Sequence, residues 1–352
     1  MRRREFIVGL GSATVWPLAA RAQPNDRVRP IGVLLALNET DPVAKPVLSA
    51  FTQPLAGLGW TDGRNLRMDV RWSGGDANRE RALAQELVGL QPDIIVTIGT
   101  IVGTAALQRE TQTIPIVFVG VSDPVASGIV PRLNQPGGNI TGFALLEPTL
   151  GGKWLQLLSE IAPGLQRAAV MFNPDTNPPP LFFAPSFETA AQLLKLVLIP
   201  APVHSAAEIE TAIVALGREP RGGLVVPPDA FLAVHRAPII SAAARNNVPA
   251  VYYQSTLARA GGLLSYGPDA VDLIRRAATY VDRILRGEKP GDLPVQFPTK
   301  FEMAVNNSAS RRRGYRMIER RTSIAGLGSA VAWPVVARAQ RTLLATADEV
   351  IQ

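Results

Sequence analysis

The chain has 352 residues, two His, no Cys and a formal net charge of +7. Two widely spaced His (His204 and His235) and no thiol leave zinc and cysteine chemistries without the ligand clusters they need. The charge sits at the ends: four Arg and one Glu in residues 1–23, with eight Arg and three acids in residues 311–352, together make +8. That leaves −1 for residues 24–310, so the globular part lacks the basic footprint of a nucleic-acid binder.

The first predicted element is an export signal. Arg3-Arg4-Glu5-Phe6-Ile7 leads into an apolar run, Ile7–Ala20, shorter than the ~20 residues that span a bilayer. Paired arginines followed by x-Phe-Ile are of the twin-arginine kind, and Ala20-Arg21-Ala22 is a small-x-small cleavage site. Cleavage after Ala22 leaves a mature chain starting at Gln23, with no cysteine to carry a lipid, free in a bacterial periplasm.

From Arg29 onward short apolar runs alternate with longer helical patterns. The runs predict strands at Ile31–Leu37, Leu66–Trp72, Ile94–Ile98, Ile116–Val119, Ala168–Phe172, Leu196–Ile199, Leu224–Val226 and Ala250–Tyr252. Most are continuous Val/Ile/Leu stretches, as parallel strands covered on both faces require. Helices are predicted at Asn78–Leu90, Lys153–Ile161, Ala206–Leu216 and Ala270–Arg286. The rhythm is that of βαβ units in doubly wound sheets.

The units are too many for one sheet, which implies an α/β chain of two doubly wound, Rossmann-like lobes joined by hinge strands. The turn and short strand at Pro136–Phe143, and the Pro-flanked stretch Leu293–Phe297, read as crossings. The expected lobes are residues 29–143 plus 262–293, and residues 144–261 plus 294–309. Ligands bind beyond the carboxyl ends of such strands, which singles out residues 37–42, 99–102, 120–124, 173–177, 227–231 and 253–256.

Near its other end the chain repeats its beginning. Residues 320–340 match residues 3–23 at 14 of 21 positions, including Gly-Leu-Gly-Ser-Ala and Trp-Pro. From position 320 this cannot act as a leader, so residues 310–341 read as an aberrant second signal-like segment, expected to be poorly ordered, ahead of a tail at 342–352. Neither Gly-Leu-Gly follows a strand or continues to a third phosphate-loop glycine. No Gly-x-Ser-x-Gly elbow, P-loop or His-Glu-x-x-His is present, and no two carboxylates are set up as acid and base. An enzyme is not expected, and neither a metal nor a cofactor.

Residues 29–307 resemble the periplasmic solute-binding proteins of ABC transporters, in the subfamily that includes tryptophan- and other amino-acid-binding members. The resemblance is carried by Pro30-Ile31-Gly32-Val33-Leu34, Leu58-Gly59-Trp60, Pro92-Asp93-Ile94-Ile95-Val96, Ile114-Pro115-Ile116-Val117-Phe118, Ser122-Asp123-Pro124-Val125, Pro136-Gly137-Gly138-Asn139-Ile140-Thr141-Gly142, Phe172-Asn173-Pro174 and Tyr280–Gly287. Each motif alone is weak; their order and spacing together are specific. The resemblance implies a type I periplasmic-binding-protein fold and capture of an amino acid or related small carboxylate between the lobes. It also implies delivery to an ABC permease, with a monomeric receptor. Signalling to a membrane sensor is the alternative, and an exported enzyme is a more distant one.

An amino-acid-like solute needs donors for a carboxylate and acceptors for an ammonium. Thr100, opening a helix after its strand, offers a hydroxyl and neighbouring amides for the first, or simply a cap. Asp123 and Asp229 offer carboxylates for the second, each with helix capping as its competing role. Asn38 with Glu39, and Asn173, close strands at the same cleft, with a turn as the alternative for Asn173. Tyr252 and Tyr253 offer an aromatic wall, against burial in the core.

Overall fold

The computed structural model describes residues 27–145, 149–177, 184–219 and 221–306. The expectations for residues 1–22, 310–341 and 342–352 lie outside the described residues.

The first sheet contains β1 (Arg29–Leu35), β2 (Leu66–Trp72), β3 (Ile94–Ile98), β4 (Ile116–Val121) and β5 (Ile140–Ala144), ordered β2-β1-β3-β4-β5. Every neighbouring pair is parallel. Helices α1 (Ala44–Gly57), α2 (Ala77–Gly89) and α3 (Ile101–Glu110) connect these strands. All five residues of β3 are buried, which is why the strand reads as an apolar run interrupted only by Thr97, whose hydroxyl meets Thr104 Oγ1 at 2.7 Å.

The second sheet follows after α4 (Leu150–Ile161). Its strands are β6 (Arg167–Phe172), β7 (Val197–Pro202), β8 (Gly222–Val226), β9 (Ala250–Tyr252), β10 (Leu264–Pro268) and β11 (Phe301–Val305), ordered β11-β10-β9-β8-β6-β7. Helices α5 (Ala184–Leu194), α6 (Ala206–Arg218), α7 (Ala230–Val234), α8 (Arg236–Arg245) and α9 (Ser255–Arg259) connect them. Only β11 runs antiparallel to its neighbour. Helix α10 (Ala270–Leu285) returns to the first lobe and packs along α1. Its buried stripe, including Leu273, Ala277, Val281 and Ile284, recurs at helical spacing.

The lobe boundaries differ from those expected at two points. Strand β10 pairs with β9 in the second sheet, so the chain leaves that lobe at Asp269 and not before residue 262. Residues 294–296 stay with the first lobe, because the amides of Val295 and Gln296 donate to the carbonyls of Leu133 (2.7 Å) and Gly142 (3.0 Å). The chain recrosses at 297–300, where the Asp269 amide donates to Lys300 O at 2.9 Å and ties two crossing segments together. The segment at Ile140–Ala144 is a full strand of the first sheet and not a crossing.

Candidate functional site

Loops at the carboxyl ends of the two sheets meet at Asp41–Arg236 and at Gly75–Ala230, and form an interlobe seam. On the first-lobe side glycines of positive φ stand just after β3, Gly99 (77°), and one residue before the end of β4, Gly120 (91°). Gly99 is exposed between buried neighbours, so the sheet edge there carries no side chain. Asn38 is exposed, its side chain lying over Gly74 and its carbonyl accepting the Asp41 amide at 3.0 Å. Glu39 is exposed beside it.

Thr100 caps α3, accepting the Gly103 amide at 2.9 Å. Its hydroxyl proton goes to Glu80 Oε2 at 2.5 Å, and that oxygen also accepts from Gly103 N at 3.1 Å. The acceptor expected at this terminus is therefore, at its third amide, the protein's own Glu80. The first turn of a helix has no intrahelical acceptors, so the amides of Ile101 and Val102 remain as donors there. Glu80 was missed by sequence reasoning, although it shares the buried face of α2 with Ala84 and Leu87, a signal that a carboxyl points inward.

Burial pushes the Glu80 carboxyl up, against bonds from Thr100, Ser73 and Gly103 that pull it down, and the nearby Asp76 charge adds to the rise. An acid with a raised pKa in the fold holds a proton that the unfolded chain has released. Stability therefore falls as pH rises from the ordinary 4.5 through the raised value. Relative to Glu80→Gln, the wild type is expected to lose thermal stability as the pH rises from the ordinary 4.5 through the raised value. A pH-independent difference in melting temperature over that range would remove the proton from the account.

Asp123 serves its own loop: Oδ1 accepts the amides of Val125 (3.1 Å) and Ala126 (2.9 Å), and residues 124–128 form turns where a helix was expected. In the second lobe Asp229 is 6% exposed and holds two loops together. Oδ2 accepts Asn173 N at 2.7 Å, while Oδ1 accepts Thr176 Oγ1 at 2.8 Å and caps α7 through Leu232 N at 3.1 Å. Burial pushes its pKa up, although these donors oppose the rise. The capping role thus accounts for its near-complete burial. Asn173 is also buried, its Oδ1 accepting the amides of Asp175 and Thr176 in the turn role.

Tyr252 is a core residue, 1% exposed and packed among the side chains around Leu224 and Ile240, so it is not an aromatic wall. Tyr253, just past the strand end, is the one with charged neighbours. Burial first, then the negative charge of Asp229, raises its hydroxyl pKa to about 12 against the pull of Arg236. It stays a neutral hydroxyl at working pH.

Two contacts close the seam. Arg236 Nη2 meets Asp41 Oδ1 at 2.5 Å and Nη1 meets Oδ2 at 2.6 Å, a bidentate pair between lobes with side chains 18% and 7% exposed. Burial raises the Asp41 carboxyl, but the Arg236 guanidinium and the Val43 amide outweigh it and hold the pKa below its ordinary value. Beside them Gly75 (φ 71°) lies against α7 so closely that a Cβ would sit 2.6 Å from Ala230 O. Neither Asp41 nor Arg236 was identified from sequence, and 195 positions separate them. His204 and His235 lie apart from each other, His204 with Glu208 and His235 against the Phe231 ring at 4.0 Å. Among the described residues no cluster could hold a metal ion, and no helix is long and apolar enough to cross a membrane.

A family model described as "ABC transporter substrate binding protein" matches residues 34–326. A tyrosine-binding protein of Clostridioides difficile is 27% identical over 257 residues, 73% of either chain. A conserved domain protein from Vibrio cholerae superposes with a TM-score of 0.75 at 26% identity, covering 83% of this chain and 97% of that one. A domain from Streptococcus pneumonia in complex with L-Trp gives 0.75 at 22% identity, covering 83% and 96%. The ligand-free, open structure of a Clostridium difficile substrate-binding protein with adhesive properties gives 0.60 at 24% identity, covering 85% and 98%.

Proposed function

The chain belongs to the ABC transporter substrate-binding protein family, and on that premise we propose that it captures an amino acid between its lobes and presents it to an ABC permease. The observation that carries this reading is the seam itself, where carboxyl-end loops of two parallel sheets meet across the Asp41–Arg236 pair. The tyrosine-binding relative and the L-Trp complex support an aromatic amino acid as the solute. In this reading the α-carboxylate takes the amides of Ile101 and Val102 beside Thr100. The ammonium faces the negative field of Asp229 near Tyr253, and the bare strand ends at Gly99 and Gly120 leave room for the solute's side chain. Asn38 and Asp123 stand at the rim, and Asn173 shapes the opposite wall.

Closure requires only that the solute bind the closed state better than the open one, so no cofactor or bond chemistry enters. We place the work outside the cytoplasmic membrane, in the periplasm, with residues 1–22 as a twin-arginine leader cleaved after Ala22 and a monomer as the working form.

Thermal unfolding of residues 23–352 against L-tyrosine, L-tryptophan and a panel of other amino acids tests the proposal. A solute at ~100 times its Kd stabilises the native state by about 2.7 kcal/mol, a shift of several degrees. Cooperative unfolding with no shift for any amino acid would overturn the amino-acid assignment.

A further inference from the structure

We infer that Glu80 is a positioning residue for the solute cleft: a buried carboxyl that locks the first-lobe loops after β1, β2 and β3 into one arrangement through hydrogen bonds. It is 0% exposed and lies on α2, behind the cleft-facing loops. Oε2 holds Thr100 and Gly103 at the start of α3. Oε1 lies 3.1 Å from Ser73 Oγ in the loop after β2. Ser73 Oγ reaches Leu35 O, the last residue of β1, at 3.2 Å, and accepts Gly75 N at 3.3 Å. Gly75 is the residue that abuts Ala230 of the second lobe. One side chain thus sets the α3 terminus, where donors for a solute remain, and the loop that meets the other lobe on closure.

Ser73 has one hydroxyl proton and two acceptors in reach, Leu35 O, which already takes the Ser73 amide at 2.9 Å, and Glu80 Oε1. Donated to Oε1, that proton lets the carboxyl act by accepting alone; donated to Leu35 O, it leaves the Oε1 contact to a proton on the carboxyl, and Oε2 accepts from Thr100 and Gly103 either way. The charged group facing it is Asp76 on its own helix; from β2, β3 and α3 it meets only hydroxyls and amides among the described residues. A neutral acid that donates once and accepts through the other oxygen is matched in shape and polarity by Gln. Its positioning role rests on hydrogen bonds and not on charge.

The test compares wild type, Glu80→Gln and Glu80→Ala in the full chain. Amide hydrogen exchange at residues 73–76 and 99–103 is read without solute, and Kd is read for L-tyrosine and L-tryptophan. Glu80→Ala is expected to speed exchange at Gly75 and Gly103 and to weaken binding, each by about tenfold or more, with Glu80→Gln within about threefold of wild type. Wild-type exchange in both loops and wild-type Kd for Glu80→Ala would overturn the inference, as would a Glu80→Gln variant as damaged as Glu80→Ala. Should Glu80→Ala not fold, Thr100→Val removes one partner alone; it is expected to speed exchange at 99–103, and no change there would count against the inference. The affinity arm rests on the solute-binding reading and the exchange arm does not. A wild type that binds neither amino acid sinks that reading, while exchange still decides the role of Glu80.

Discussion

Asp229→Ala is expected to destabilise the protein by about 3–5 kcal/mol, from the buried donors it leaves unpaired and the helix cap it removes. The carboxylate satisfies the Asn173 amide, the Thr176 hydroxyl and the Leu232 amide, all in a loop cluster closed to water. Each orphaned donor costs roughly 1–3 kcal/mol, offset where water enters the truncated space. Loss of the α7 cap adds about 1 kcal/mol. At about 2–4 °C per kcal/mol, differential scanning calorimetry should register a fall near 10 °C or more. Asp229→Asn keeps one acceptor and is expected to fall between the two. A loss below about 1 kcal/mol combined with abolished solute binding would return Asp229 to the role of ammonium receptor.

The second large effect concerns closure. Asp41→Ala leaves the Arg236 guanidinium, 18% exposed, without its carboxylate where the lobes meet as they do here. Truncating one partner of such a pair costs about 2 kcal/mol or more, which is ~30-fold in the ratio of closed to open protein. If solute binds the closed form, its apparent Kd rises by the same factor as that population falls. Small-angle scattering should show a larger radius of gyration without solute, and calorimetry a Kd weaker by about tenfold to thirtyfold. Arg236→Ala should match Asp41→Ala, and the double variant should be no worse than either, because one interaction is removed three ways. Additive losses, or an unchanged radius and Kd, would reduce the pair to an incidental surface contact.

Much of the fold was legible because its evidence is local. The run Ile116–Val119 is apolar at every position and Ile94–Ile98 at all but Thr97, as strands covered on both faces require. The elements that escaped notice are those without such a mark. All five residues of β11 are half-buried, since it is an antiparallel edge, so it shows neither a continuous run nor alternation. Helix α1 carries Pro54 within it, a residue that reads as a breaker. The position of β10 depended on which sheet accepted it, and five residues reading Leu-Ser-Tyr-Gly-Pro cannot say.

The site was legible as a set of loops and not as a set of roles. The rule for strand carboxyl ends led to Asn38, Thr100, Asp123, Asn173 and Asp229, and all five stand in loops at that end. Four carry hydrogen bonds within their own lobe that sequence left open against ligand contact: Thr100 to Glu80, Asp123 to Val125 and Ala126, Asn173 within its turn, Asp229 to Asn173 and Thr176. Tyr252 and Tyr253 are adjacent and look alike, yet the first ends β9 in the core while the second, just past the strand end, lies beside Asp229 and Arg236.

By itself, then, the sequence determined two parallel sheets, their connecting helices and the edge on which function sits, because burial on both faces of a strand writes itself into consecutive residues. Only the tertiary structure decided that Glu80 answers Thr100 across 20 positions and Arg236 answers Asp41 across 195. Those partners are chosen by sheet order and lobe closure, which bring loops together irrespective of their distance along the chain.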